Sequence, residues 1–539
     1  MQRSLAQGGH AFRLIASEGS VTRSVCHLCH LRPFSTSRGR ANAGSSKGLP
    51  TPRPDYSNLL ENPHQAAENI ECRRAPLPSG STAESFVAEI VKLHEHVKTL
   101  SNQVKELRSE RNALSQVFSD KKKTEEERAQ AKQRAEAVRA ELLGQDGLEG
   151  FLAQQEEKLL ALGIQLPNET SPSSPIGGYE QCQVVKTSTP TIEEKAHPPS
   201  DHVELLTKLG WLYLPSHITG SSWPYLVKGG ALLEMALTQY AISTALSAGY
   251  ELILPPDVVK SEIMRRCGFN PRDAGGEAQT YFVSTSSPLS SRSTEAETAE
   301  AELALAATSE VPLAAYYMDS KYAAKDLPRK VLAFGHAFRA EAGARGRESR
   351  GLYRVHQFSK VELFSVTSSE RGQSDSMLSD MTELQWKILS QLNLPLRMMH
   401  MSTEELGGAA YQKYDIEAWM PGRGSWGELA SASNCTDYQA RRLNIRHSLP
   451  QTDEPASTKA GKGGKTAYCH TLNATAVAIP RLIVALVENG ARFDGKGNWT
   501  ALALPSVLRP FWLGTEATSD SCRIPLGDSA KKSIDLVWT

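Results

Sequence analysis

From Ser81 onward, apolar residues recur every seven positions at Phe86, Leu93, Leu100, Leu107 and Leu114, with Ile90, Val97 and Val104 forming a second seam. Lys, Glu, His, Gln and Arg fill the positions between, which predicts one long amphipathic helix with a coiled-coil stripe. The stretch from Phe86 to Val117 would span about 48 Å at the helical rise. A charged run, SDKKKTEEE (119–127), predicts a reversal. A second helical pattern follows with Val138, Leu142, Leu148, Leu152, Leu159 and Leu162, and Gly144 and Gly147 predict a kink or loop within it. Two such helices read as an antiparallel hairpin that completes its own seam; the competing reading is a dimerisation coiled coil. Lys and Arg along the arm, with Lys121, Lys122 and Lys123 at its tip, suit a phosphate backbone, although Glu125–Glu127 dilute that charge.

Residues 167–200 are rich in Pro, Ser and Thr and read as a linker, after which the globular part begins near Asp201. Gly230–Ser247 reads as a helix, AGYELILPPDVV (248–259) as a strand stopped by Pro255-Pro256, and 283–300 as a low-complexity surface insertion. LALAATSEVPLAAYY (303–317) reads as buried yet carries Thr308, Ser309 and Glu310 in its middle. Burying that triplet is costly unless a ligand or an internal hydrogen-bond network pairs with it.

In FRAEAGARGRESRGLYRVHQFSKVELF (338–364), strand alternation puts Arg339 and Glu341 on one face. Past a glycine–arginine loop it gathers Arg354, His356, Phe358, Lys360 and Glu362 on one side, with Val355, Val361 and Leu363 opposite. A solvated face with surface ion pairs would alternate in the same way. Phe358 in the polar row argues for more, because a ring beside arginines can stack on a base. Arg345, Arg347 and Arg350 among Gly343, Gly346 and Gly351 suit a polyanion.

At 539 residues the chain exceeds one ordinary domain, which implies a large core and at least one appendage. Lys+Arg and Asp+Glu balance at 60 each, so an anionic partner has to be met by local basic patches. No apolar run reaches membrane-spanning length, and no membrane partner is expected. The eight cysteines show no secreted framework, and Cys26-x-x-Cys29 has no second pair at ligand spacing, so no zinc is expected. Residues 1–46 hold Arg3, Arg13, Arg23, Arg32, Arg38 and Arg40 against the single acid Glu18. That is the composition of a mitochondrial transit peptide; a disordered basic tail is the plainer alternative.

Downstream, WGELASASNCTDYQARR (426–442) sets out Glu428 and Ser431 in the manner of oxygens that face a metal or a ribose. HTLNATAVAIPRLIVALVENG (470–490) supplies Asn473 and Thr475 before an apolar helix. Arg481 stands at the start of that helix, where the dipole disfavours a cation unless an anion faces it. Neither GxxxxGK[ST] nor GxGxxG occurs, so a bound nucleotide would be gripped by arginines on an antiparallel sheet.

GYELILPP, FRAEAG…RGLYRVHQFSKVELF and LNATAVAIPR…VLRPFW resemble the three signature motifs of class II aminoacyl-tRNA synthetases. TSEVPL, SNCTDYQARR and HTLN resemble the seryl-tRNA synthetase branch, and the likeness runs from about Asn58 to Trp512. TSE stands where the family has TAE, 451–466 expand a variable loop, and 283–300 and 513–539 are extra. The resemblance implies an α+β fold: a class II antiparallel sheet flanked by helices, with an N-terminal antiparallel coiled-coil arm. The implied divisions are a transit peptide (1–46), a tRNA-binding arm domain (58–166), the linker (167–200), a catalytic domain (201–512) and a tail (513–539). The implied activity is ATP-dependent ligation of L-serine to tRNA(Ser) through a seryl-adenylate, in the mitochondrial matrix. The implied enzyme is a homodimer joined through the first motif. RPFSTS (32–37) resembles matrix-protease cleavage regions of fungal precursors.

By motif position, Arg339 resembles the arginine that holds the α-phosphate and the substrate carboxylate, with Ala340 beside it against ATP. Glu341 would meet the adenine amino group, Val355 the ring through its backbone, and Phe358 would stack on it. Arg354 and Arg481 resemble arginines on the γ-phosphate of a bent ATP. Glu428 and Ser431, with Leu429 and Ala430 between them, resemble the Mg2+ and phosphate ligands. Thr308, Ser309, Glu310, Arg339, Glu362, Asn473 and Thr475 match the residues around serine. Carboxylates do suit an ammonium and a hydroxyl donor, and arginines suit anions. Catalysis is expected from Arg339, Glu428 and Arg481 through charge and position, without a protein nucleophile. Two other readings compete: a synthetase-like protein that charges no tRNA, and a coiled-coil scaffold with a passive globular part. The scaffold leaves the one-faced Arg/Glu/Phe array unexplained.

Overall fold

The computed structural model describes residues 48–120, 122–143, 147–188, 201–220, 222–269, 279–283, 302–341, 351–449, 465–527 and 529–539. The readings placed on 1–46, on Lys121, on most of 283–300, on 451–464 and on Arg345, Arg347 and Arg350 lie outside these residues.

Helix α1 (Ala83–Ser119) starts at a reciprocal cap. Thr82 Oγ1 accepts from the Ser85 amide at 3.1 Å, and the Thr82 amide donates to Ser85 Oγ at 2.9 Å. Helices α2 (Glu125–Leu143) and α3 (Leu148–Gly163) return along it, separated where the two glycines predicted a break. Leu159 joins Phe86, Ile90 and Leu93 in one buried cluster, and Val138 and Leu142 join Val104 in another. The seam is closed within one chain, as the hairpin reading requires.

Eight strands form the main sheet: β1 (Gln183–Thr187), β2 (Glu251–Ile253), β3 (Arg329–Phe338), β4 (Gln357–Thr367), β5 (Leu396–His400), β6 (Gln412–Met420), β7 (Ser425–Asn434) and β8 (His470–Ala478). Their order is β1-β5-β6-β7-β8-β4-β3-β2, and every neighbouring pair is antiparallel except β2 with β3. Apolar residues of α4 (Gly229–Ser247), α6 (Arg371–Ser390) and α8 (Ile479–Gly490) share one core with Val361 and Leu363 of β4. Helices α5 (Glu310–Tyr316) and α7 (Tyr438–Leu443) cover Val331, Phe364 and Val366 on the other face. No helix among the described residues is long and apolar enough to cross a membrane.

Two segments are more ordered than composition suggested. The Pro/Ser-rich stretch read as a linker is structured over 167–188, its remainder (189–200) lying outside the described residues: Asn168 donates to the Ala409 and Cys435 carbonyls at 2.9 Å each, and β1 becomes the sheet edge. Turn-forming side chains that bind backbone groups serve a packed loop as well as a free one. The segment read as a tail folds too. Strands β9 (Ala491–Phe493), β10 (Trp499–Leu504), β11 (Ser521–Leu526) and β12 (Ser529–Trp538) make a second sheet in the order β9-β10-β12-β11. Ile534, Leu536 and Trp538 alternate inward, and Trp538 stands edge-on to Trp512 with ring centres 5.5 Å apart.

Candidate functional site

Beside α5 and α7 the sheet face opens into a cavity of about 380 Å³. Strand β4 turns Phe358, Lys360 and Glu362 into it, and β3 sets Ala337, Gly335 and Ala333 opposite those three. Small residues there keep the floor clear. A Cβ on Gly335 would come within 2.8 Å of Ser309 Oγ, so the glycine lets the Thr308–Glu310 turn close over the strand.

The polar row is shorter than strict alternation predicted. Glu341 has φ 49°, a left-handed turn, and regular pairing resumes only at Gln357. Arg354 and Val355 line the cavity from irregular backbone, so Val355 is not on the far side. His356 is not part of the lining. It stacks on Trp223 with ring centres 5.5 Å apart, and its Nδ1 lies 2.9 Å from the Arg339 carbonyl.

Strand β7 contributes both Glu428 and Ser431, a spacing that regular alternation would send to opposite faces. The register explains it: Ala430 pairs with Ile416 while Glu428 pairs with Glu417, so Leu429 is a bulge residue. Leu429 and Ser431 line the cavity, whereas Ala430 packs into the core. Ser309 and Ala340 are likewise outside the lining. Ser309 sits over Gly335, and the Ala340 amide donates to the Gln279 carbonyl at 3.2 Å.

One end of the cavity is a buried carboxylate network. Glu310 Oε1 accepts from Gln439 Nε2 at 2.6 Å and from Asn473 Nδ2 at 2.8 Å. Burial and then Glu362 push the Glu310 carboxyl up to about 8, against the pull of Gln439 and Lys360. Thr475 faces Glu362 across the β4–β8 ladder, its Oγ1 3.5 Å from Glu362 Oε2. Lys360 Nζ donates to Glu362 Oε2 at 2.5 Å and to Thr308 Oγ1 at 2.6 Å.

The other end is richer in arginine. The Arg339 guanidinium lies 5.3 Å from the Phe358 ring centre, and burial, then Arg481, lower its pKa. Arg354 pairs with Glu341 at 3.5 Å. Arg481 Nη1 lies 3.3 Å from Glu428 Oε2, and its Nε donates to the Tyr353 carbonyl at 3.2 Å. The cation at the helix start therefore has a protein carboxylate for its counter-ion here. Glu428 is only partly removed from water, which by itself would raise it, but Arg481, Lys413 and Arg339 outweigh that and hold the carboxyl down to about 2. An ionised Glu428 with the Ser431 hydroxyl offers hard oxygens that fit a divalent cation. Asp415 pairs with Ser431 across the ladder, and its Oδ1 is buried with no hydrogen-bond partner among the described residues. No group of three or more His, Cys, Asp or Glu there could hold a metal by itself, so the ion would share its ligand.

Among the lining residues to which the sequence reading gave no role are Lys360, Lys413 and Tyr353. Lys360 already stood in the polar row. Lys413, which donates to Asp415 Oδ2 at 2.7 Å, had no local signal.

Comparison with known proteins places these features in context. Residues 55–170 match the family described as seryl-tRNA synthetase N-terminal domain, and residues 293–490 match the tRNA synthetase class II core domain (G, H, P, S and T). The chain is 34% identical over 474 residues to the mitochondrial serine–tRNA ligase of Saccharomyces cerevisiae, covering 86% of this chain and 96% of that one. It is 36% identical over 438 residues to the serine–tRNA ligase of Rubrobacter xylanophilus, covering 79% and 92%. The crystal structure of Pyrococcus horikoshii seryl-tRNA synthetase complexed with ATP superposes with TM-score 0.69 at 28% identity, covering 85% of this chain and 98% of that one.

Proposed function

Because the chain belongs to the seryl-tRNA synthetase family, we infer that it joins L-serine to tRNA(Ser) using ATP and that the cavity on the main sheet is where the adenylate forms. The observation that carries this reading is one cavity with two chemistries, carboxylates and hydroxyls at one end and arginines at the other, with Arg339 among both.

Serine's carboxylate attacks the α-phosphate in line, giving seryl-adenylate and pyrophosphate. A terminal ribose hydroxyl of the tRNA then attacks the acyl carbon and releases AMP. Neither step needs a protein nucleophile, so the chain contributes position and charge. We assign Arg339 to the α-phosphate and the serine carboxylate, Phe358 and Glu341 to adenine with the Val355 backbone, and Arg354 and Arg481 to the γ-phosphate. Arg481 would then exchange its hold on Glu428 for the phosphate. Glu428 and Ser431 would hold the Mg2+ that arrives with ATP, which neutralises phosphate charge. Thr308, Glu310, Glu362, Asn473 and Thr475 take the serine ammonium and hydroxyl. Alanine would leave Glu362 and Thr475 without the hydroxyl, a loss of several kcal/mol, whereas threonine has to be refused by shape.

The helical arm is assigned to the tRNA, and a homodimer through α4 and β2 is supported by Met235, Leu246, Leu252 and Leu254, all exposed in the single chain. A mitochondrial matrix location rests on the Arg-rich, acid-poor residues 1–46 and on the mitochondrial relatives, although the bacterial relative is as similar. Deleting 86–162 should spare serine-dependent ATP–pyrophosphate exchange and raise the KM for tRNA by about 100-fold or more. Unchanged charging would remove the arm from the mechanism.

A further inference from the structure

The roles above give no task to Lys360, a buried cation that lines the cavity. The Lys360 side chain is 6% exposed and that of Glu362 2%. Its ammonium contacts Glu362 and Thr308 directly, with Thr475 Oγ1 at 3.5 Å. All three partners are ones the proposed function gives to serine. A buried ion pair is weak evidence for stability, since packed apolar side chains often do as well. Lys360 is also placed on the cavity wall rather than within a hydrophobic cluster, with Gly335 opposite it in β3.

Charge makes the arrangement intelligible. Glu310 and Glu362 share one cavity end. Glu310 is faced by Gln439 from α7, by Asn473 from β8, by the thiols of Cys267 and Cys435, and by Glu362 and Lys360 from β4. With both acids ionised, the end would carry two negative charges; Lys360 brings that to one, which a single ammonium cancels.

We propose that Lys360 is a positioning and specificity-determining residue for the amino-acid end. It neutralises Glu362 and anchors its Oε2, so that Glu310 answers the substrate ammonium while Glu362 and Thr475 answer the hydroxyl. This inference rests on the reading of the cavity as the seryl-adenylate site. It carries a linked proton. Glu310 holds its proton below about 8, and an arriving ammonium favours the ionised form, so serine binding releases a proton. The serine KM therefore falls as pH rises towards that value. Lys360 is one of the groups pulling Glu310 down, so its loss moves this limb to higher pH.

The test is serine-dependent ATP–pyrophosphate exchange by the full chain from about pH 6 to about 9, with Lys360→Met and, should that variant fold poorly, Lys360→Gln. Loss of a buried partner charge predicts a serine KM raised about 30-fold or more, an ATP KM within about two-fold, and the pH limb displaced upward. An unchanged or lowered serine KM overturns the proposal. So does a joint rise of both KM values with the limb unmoved, the signature of a structural lysine. Absence of serine-dependent exchange in the unaltered protein would instead defeat the reading on which the proposal stands.

Discussion

The two ends of the cavity use the same materials, carboxylates set against cations, and arrange them for opposite purposes. At the carboxylate end Glu362 is 2% exposed and the hydrogen bonds to Glu310 are 2.6 and 2.8 Å. At the arginine end Glu428 keeps 43% of its side chain exposed, and the Arg481–Glu428 and Arg354–Glu341 pairs are 3.3 and 3.5 Å. The first is a buried, hydrogen-bonded set of carboxylates and hydroxyls that suits a small group with fixed donors. The second is a set of looser arginine–carboxylate contacts that a polyanion and its cation can enter and rearrange. The acids register the difference, with Glu310 pushed up to about 8 by burial and Glu362 while arginines hold Glu428 down to about 2.

The strongest test of this division is Arg339, to which the proposed function gives a role at both ends. Arg339→Ala should lower kcat/KM for pyrophosphate exchange by about a thousand-fold or more. Near-normal exchange would leave the two ends unconnected. A smaller effect, confined to one end, is expected of Thr475→Val: a serine KM raised roughly ten-fold and a weaker preference for serine over alanine. An equal rise in the ATP KM would erase the distinction between the ends.

The smallest effect is on stability. Glu310 binds its proton more tightly folded than unfolded, so its contribution is full below about 4.5 and is lost as pH rises towards about 8. Glu428 runs the other way, with its contribution lost as pH falls from about 4.5 towards about 2. Glu310→Gln should therefore flatten the decline in Tm between about pH 5 and 8 by a few degrees, while Glu428→Gln should leave that window alone. Thermal melts across pH decide it.

What the sequence disclosed depended on how local the signal was. The hairpin arm rests on a seven-residue repeat and a charged turn, both contiguous, and the structure closes it through Phe86, Leu93 and Val138 as the pattern implied. The β4 floor was legible for Phe358, Lys360 and Glu362, because alternation holds wherever pairing is regular. It failed at His356, on the far side of the left-handed Glu341 turn. Glu428 and Ser431 came from family resemblance, and only the Leu429 bulge explains how both reach the cavity. Ser309 and Ala340 were carried along with their neighbours, though neither belongs to the lining. Lys413 reaches the arginine end through strand pairing, which no local pattern encodes. The 513–539 segment hid its role because its partners, Trp512 and strand β10, precede it in the chain.

Whether one cavity reads serine at its carboxylate end and ATP at its arginine end is decided by ATP–pyrophosphate exchange with serine, alanine and threonine offered singly to the full chain. Robust exchange is expected with serine and little with the other two. No exchange with serine, or equal exchange with alanine, would contradict that reading.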